Sequence, residues 1–453
     1  MNRREIIKAL SIAPAISLAD FHSFSNSPET IQTPQNIDSI PRFGDGRDWF
    51  FEKRFGMFIH WGLYSIPAWH EQHQYRLRVP RKEYEQLINQ WNPVKFNPEQ
   101  WLDLLQETGM EYITITTKHH DGFCLWDTKE TSFNTMQSPY GKDIIGMLAE
   151  ACHRRDIPLC LYYSIVDWHH PNYPNQGRHH ETPGPEPGDQ PDWDKYMEFL
   201  KAQVRELCTN YGEIHGFWWD MNVPEYQDPS INQMIRKLQP KAVINNRGFD
   251  DGDYGTPERD YFSDDAKTLQ KPTEACQSVG MESWGYRKDE DYYSDLHLIR
   301  SIDRYLVRGA NYLLNVGPTA EGIIPEPSRS ILNRIGSWFH NVKESMYNVV
   351  QDTRPPWNDV YAARKGNYLY LHLNPGPTGS RLKLKPLKIT PKSAVLLNTG
   401  QPVSYQVSLV PSEHGSQEAF LRIYDLPVNE LCNTVPVIRL EFDRPVDEIL
   451  AEV

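Results

Sequence analysis

Short apolar runs alternate with longer segments of helical periodicity from about residue 50 to residue 346. Residues 55–62, 111–118, 158–165, 215–219, 242–246 and 310–316 are apolar, β-branched or aromatic and read as buried strands; residues 274–279 fit a further one. Between them, residues 81–91, 98–109, 143–155, 192–211, 228–238, 294–307 and 327–346 repeat their apolar positions at the spacing of a helix face, and Asn97-Pro98 is a helix-opening pair. Strands that alternate with helices bury both faces by winding in parallel. The expected fold class is therefore α/β, a (β/α)8-type, TIM-like barrel.

Beyond Asn348 the pattern changes to alternating runs such as 368–373, 393–397 and 437–442, cut by Pro and Gly. This predicts a C-terminal antiparallel β-sandwich. The expected organisation is residues 1–30 as export signal and linker, 31–346 as a catalytic barrel and 347–453 as the sandwich. The first segment has its own character. Arg3-Arg4 precedes a modestly apolar run, residues 9–19, which resembles a twin-arginine export signal with cleavage near Ala19. That run is too short for a permanent anchor, so the expectation is an exported, periplasmic protein.

Composition narrows the partners. A formal charge of −13 argues against nucleic acid or an anionic membrane surface, both of which require a basic footprint. The 13 Trp and 24 Tyr are an aromatic excess; most must fill the core, but indole and phenol rings also stack well on the CH faces of sugars, which fits a carbohydrate site. Six cysteines lie scattered without metal-finger spacing, most of them in apolar stretches where buried thiols are expected.

Candidate chemistry sits where the strands end. The run 215–219 stops on Asp220, and the carboxyl edges of a strand-helix barrel gather reactive groups around a rigid floor. The same edge would collect His60, Trp61, His119, His120, Tyr163, Trp218, Arg247 and Glu258. Two carboxylates from separate elements could divide glycoside cleavage between them, one attacking the anomeric carbon and one protonating the leaving oxygen. The pairs His119-His120, His169-His170 and His179-His180 raise a metal-dependent alternative. Neighbours on a strand point to opposite faces, so each pair is expected to offer one ligand at most, and neither metal nor cofactor is expected. A non-catalytic sugar-binding barrel is a second alternative.

Residues 55–62 (Phe-Gly-Met-Phe-Ile-His-Trp-Gly), 118–126 (Lys-His-His-Asp-Gly-Phe-Cys-Leu-Trp), Tyr162-Tyr-Ser164, Trp218-Trp-Asp220, 252–258 and Ser283-Trp-Gly-Tyr286 together resemble glycoside hydrolase family 29, the retaining α-L-fucosidases, over residues 45–345. The resemblance implies a barrel followed by a β-sandwich, acting on fucosylated oligosaccharides or glycoconjugates. It implies Asp220 as nucleophile. His60, His119, His120 and Tyr163 would contact fucose hydroxyls, Trp218 would lie beside the nucleophile, and Arg247 near the same carboxylate. Glu71 matches a sugar-binding glutamate, although Gln72 follows it where the family commonly has Trp. The acid/base is less fixed: Glu258 is the first choice, Glu274 the second and Glu282 the third. α-L-Galactoside cleavage is the nearest alternative, with the choice resting on pocket details around Trp284.

Overall fold

The computed structural model describes residues 40–220, 228–259, 269, 271–352 and 360–452. The expected export signal and most of the linker lie outside the described residues. Seven parallel strands form one curled sheet: β1 (Phe55–Ile59), β2 (Tyr112–Lys118), β3 (Leu159–Ser164), β4 (Gly216–Asp220), β5 (Val243–Ile244), β6 (Glu274–Ser278) and β7 (Asn311–Val316). Their order across the sheet is β5-β4-β3-β2-β1-β7-β6. Every residue of all seven strands is buried, which is why they read as continuous apolar runs and not as alternating ones.

Where an eighth strand belongs, residues 254–258 make isolated parallel bridges to Asn245 on one side and to Thr273 and Cys276 on the other. Gly255 and Pro257 keep this stretch from a regular ladder. It nevertheless closes the wall between β5 and β6 through Glu274 N–H to Gly255 O (2.9 Å) and Cys276 N–H to Pro257 O (3.0 Å). The TIM-like barrel expected from the sequence is thus present, with one irregular stave.

The connecting helices begin on polar caps that the sequence supplies. Asn97 accepts from Glu99 N–H ahead of Pro98–Glu107, Asp143 from Gly146 N–H ahead of Ile144–Arg154, and Asp192 from the N–H groups of Asp194 and Lys195 ahead of Trp193–Asn210. Each turns an apolar face inward, and the strands and helices share one large core.

From Val350 the strands are antiparallel. Val350–Asp352, Tyr361–Lys365, Tyr368–His372, Val437–Glu441, Ser393–Leu396 and Gln401–Pro402 form one sheet in that spatial order, and Leu382–Leu384, Phe420–Tyr424 and Ser404–Ser408 form a second. Leu369, Leu371, Leu384, Leu421, Ile423 and Leu440 fill the space between them. The sandwich is fixed to the barrel by specific contacts. Trp338 Nε1 donates to Val435 O (3.1 Å), and Asp303, on the helix Asp295–Leu306, meets His372 Nδ1 (2.5 Å) and Asn374 Nδ2 (2.9 Å) with no exposed surface on either Asp303 or His372. Asp303→Ala would strand His372 in the interior and leave Asn374 with Arg300 O as its acceptor, and a loss of about 3–5 kcal/mol is expected. A urea midpoint unchanged from wild type would contradict this reading of the junction.

Candidate active site

The carboxyl ends of the barrel strands surround a cavity of about 260 Å³. Strand parity decides what faces it. Tyr162 pairs with Trp218 and Ser164 with Asp220 across the β3–β4 register, so these four side chains point inward, while Tyr163 and Trp219 point out toward the helices. Asp220 is the last residue of β4 and its side chain keeps 10% of its surface exposed.

Its two oxygens are held separately. Oδ2 accepts the Tyr162 hydroxyl at 2.6 Å, with His120 Nε2 at 3.8 Å, and Oδ1 faces Arg247 Nη1 at 3.2 Å. Burial by itself would push the Asp220 pKa up, but His120, the Arg247 charge and the Tyr162 hydroxyl together bring it below the usual aspartate value. Burial also pushes His120 down to about 4, so at neutral pH that ring is uncharged and the compensation falls to Arg247 and Tyr162.

Arg247 links two carboxylates. Its Nη2 donates to Glu258 Oε2 at 2.8 Å while Nη1 faces Asp220, and the guanidinium is oriented by Thr256, through Oγ1 (2.8 Å) and the backbone carbonyl (3.0 Å). It also lies over the Trp218 ring, 4.8 Å from its centre. Glu258 stands at the upper end of the irregular stave, more open than Asp220, with 38% of its side chain exposed. Glu282 reaches the same cavity from the loop after β6.

The histidines show their tautomers through their neighbours. Ser164 Oγ donates its one proton to Val166 O (2.7 Å), so it can only accept from His120 Nδ1 (2.6 Å). Asn315 Nδ2 donates to Trp284 O (2.7 Å) and Ser278 Oγ (3.1 Å), which turns Oδ1 toward His60 Nδ1 at 2.7 Å. Both rings therefore carry the proton on Nδ1 and leave Nε2 as an acceptor, and burial holds His60 as well as His120 down to about 4. His119 stacks on Tyr162, with ring centres 5.8 Å apart. Glu71 is buried. Ser283 Oγ (2.8 Å) and Trp284 N–H (2.9 Å) donate to its Oε2; burial would raise its pKa, but His70, His60 and these donors lower it overall.

Of the residues expected at the site, His60, Glu71, His119, His120, Trp218, Asp220, Arg247, Glu258 and Trp284 line this one cavity. Three do not. Trp61 follows His60 and so points outward, into Trp91, Phe96 and Trp101, with Nε1 on Thr319 O. Tyr163 is likewise on the outer face, its hydroxyl on Gln203 (2.7 Å); its neighbour Tyr162 takes the inward position. Glu274 is the first residue of β6 and so belongs to the end of the barrel away from the cavity, where Tyr112 Oη (2.7 Å) and Trp218 Nε1 (3.1 Å) donate to it and burial raises its pKa to about 7. It supports the floor from beneath.

The expectation that adjacent histidines diverge also fails at His119-His120: both lie past the end of β2 and both reach the cavity, their rings 4.0 Å apart. Among the described residues no group of three His, Cys, Asp or Glu side chains is arranged to hold a metal ion. The sequence reading missed Tyr162, His70 and Arg76 at the cavity, and considered His180 only as a metal ligand. Counting two residues back from Ser164, as from Asp220 to Trp218, finds the first; His180 lies in an insertion where no periodicity operates.

A parallel barrel whose mouth combines paired carboxylates with neutral imidazoles and indoles has the make-up of a carbohydrate-cleaving hydrolase. Comparison with known proteins places it more closely. A sequence model of the family described as "Alpha-L-fucosidase" matches residues 26–344. The tissue α-L-fucosidase of Homo sapiens is 29% identical over 363 residues, spanning 71% of this chain and 74% of that protein. Among solved structures, α-L-fucosidase isoenzyme 1 from Paenibacillus thiaminolyticus has a TM-score of 0.77 and 33% identity, covering 88% of this chain and 100% of the other. A family 29 α-L-fucosidase from Bacteroides thetaiotaomicron, captured as a covalent intermediate with 2-fluoro-fucosyl fluoride, has a TM-score of 0.72 and 27% identity, covering 90% and 99%. The chain belongs to the α-L-fucosidase family, glycoside hydrolase family 29.

The two neighbouring tyrosines provide a direct check on the register. Tyr162→Phe removes a hydrogen bond to an ionised carboxylate, and a fall in kcat/KM of about 10-fold to 100-fold on an aryl α-L-fucoside is expected. Tyr163→Phe removes a bond on the outer face, so its effect should be read mainly as a lowered melting temperature. The opposite ranking in kcat/KM would show that the inward position is misassigned.

Proposed function

We propose that this chain is an exported, exo-acting α-L-fucosidase that removes terminal fucosyl residues from glycans with retention of anomeric configuration. The observation that carries the reading is the Arg247 fork, which brings Asp220 and Glu258 to adjacent nitrogens of one guanidinium at the cavity wall. Asp220, buried and kept ionised, attacks the anomeric carbon; Glu258, at the more open edge, acts with its carboxyl protonated in the substrate complex, gives that proton to the departing oxygen, and as the carboxylate so formed deprotonates the incoming water. The Nε2 lone pairs of His60 and His120 accept from ring hydroxyls, and Glu71 accepts another. Trp218 and Trp284 offer apolar faces, and a cavity of about 260 Å³ suits one sugar ring. Export is supported by Arg3-Arg4 and the apolar run after it, and is tested by fractionating cells that express the full chain.

Incubation with 2-fluoro-fucosyl fluoride should add one fluorofucosyl group to the peptide that contains Asp220, and Asp220→Asn should lose about 10³-fold or more in kcat. Labelling of any other carboxylate would refute the assignment. Glu258→Ala should keep turnover of an aryl fucoside with a good leaving group and lose it on oligosaccharides. If Glu282→Ala behaves this way instead, the acid/base lies in the loop after β6.

The pH profile has a definite sign. Burial lowers the pKa of His60 and of His120 to about 4, so both remain neutral acceptors well below pH 6. kcat/KM is expected to hold as the pH falls toward 5, with its acidic limb near 4. A limb at pH 6 or above would contradict neutral, buried histidines.

A further inference from the structure

Depth orders the imidazoles of the cavity. His60, His119 and His120 are buried, whereas His180 is only half-buried and comes from the Pro- and Gly-rich stretch 171–191. That stretch is a built structure. Glu181 is gripped by Arg178 (Nη2 at 2.6 Å), the Tyr173 hydroxyl (2.6 Å) and Gln176 N–H (3.0 Å), while Asp189 is held by both terminal nitrogens of Arg81 at 2.7 Å. Trp168 Nε1 donates to His180 O at 2.8 Å. Held in this way, His180 has a φ of +63°, in the left-handed region that few residues other than glycine occupy.

The polarity of this ring is the reverse of the others. Arg76 Nε donates to Gln72 Oε1 at 3.2 Å, which turns the Gln72 amide nitrogen toward His180 Nδ1 at 3.0 Å. An amide NH2 only donates, so Nδ1 accepts and the neutral ring carries its proton on Nε2. His180 lies beside His120, with ring centres 5.7 Å apart, and Arg76 lines the same side of the cavity. Within the cavity His60 and His120 thus offer lone pairs, whereas Arg76 and His180 at this part of the rim carry N–H groups.

We propose that Gln72 and His180 form a specificity element for the sugar on the leaving-group side, with His180 Nε2–H donating to an oxygen that has lone pairs and no proton, as in an N-acetyl carbonyl or a sulfate ester. This rests on the fucosidase reading above and names a substrate class for it. Gln72 sets the polarity and acts as a positioning residue; His180 makes the contact.

Two measurements test it. In a long-range ¹H–¹⁵N correlation spectrum, His180 should be protonated on Nε2, and His60 and His120 on Nδ1; Gln72→Glu, which puts an acceptor against Nδ1, should move the His180 proton to that nitrogen. Kinetics would compare an aryl α-L-fucoside with three fucosyl disaccharides whose second sugar carries hydroxyls only, an N-acetyl group or a sulfate. Wild type should favour the N-acetyl or the sulfated acceptor, and the preferred one identifies the source of the oxygen. His180→Phe should lower kcat/KM on that substrate about 10-fold more than on the aryl fucoside, and Gln72→Glu should erase the preference. Equal losses on all four substrates, no preference in wild type, or a His180 proton found on Nδ1 would each overturn the proposal. Failure of wild type to cleave even the aryl fucoside would overturn the fucosidase reading beneath it.

Discussion

A carboxylate stays ionised inside a protein only where fixed charge and hydrogen-bond donors replace the water it has lost, and Asp220 imposes that condition on the whole mouth of the barrel. Its position at the end of β4 follows from the strand, but its charge depends on residues from elsewhere: the Tyr162 hydroxyl from β3 and the Arg247 guanidinium from beyond β5. Arg247 is itself held by Thr256 and shared with Glu258, so the irregular stave and β4 are joined through one cation. Removing the guanidinium would leave two carboxylates facing the same cavity without their shared counter-charge.

The remaining polarity of the cavity follows from lone-pair accounting around the histidines. Ser164 and Asn315 each have one way to satisfy a carbonyl that cannot donate, and that choice fixes where the His120 and His60 protons reside. Gln72 performs the reverse service for His180. A sugar hydroxyl is both donor and acceptor, so a pocket that alternates acceptor and donor walls discriminates by orientation as well as by shape.

Much of the architecture was legible in the sequence because a barrel strand buried on both faces is an unbroken apolar run, and such runs stop at polar residues that line the cavity, as at His119 and Asp220. What the runs do not show is which of two adjacent side chains faces inward. Trp61 and Tyr163 were expected in the cavity and lie one residue out of phase with it, whereas Asp220 and Trp218 fall on the right parity. Glu274 was misplaced for a related reason: a strand can be found by pattern, but a glutamate at its start and one at its end lie at opposite ends of the barrel. The eighth stave is absent from the strands that the pattern predicts because Gly255 and Pro257 interrupt the apolar run that marks one. Its closure rests on backbone pairing, which leaves no trace in hydropathy.

That stave also bears on how such a wall could be remade. Past Tyr254 the backbone bonds of its described residues run to Pro272 and β6, and Pro257 has no N–H to offer β5. A segment supported along one flank accepts insertions and new side chains with little disturbance to its neighbours, unlike β4, which is paired on both sides. The barrel therefore carries Asp220 on a stave braced along both flanks and Glu258 on one braced mainly along a single flank, so the wall that bears Glu258 can be reshaped by mutation while Asp220 stays where it is.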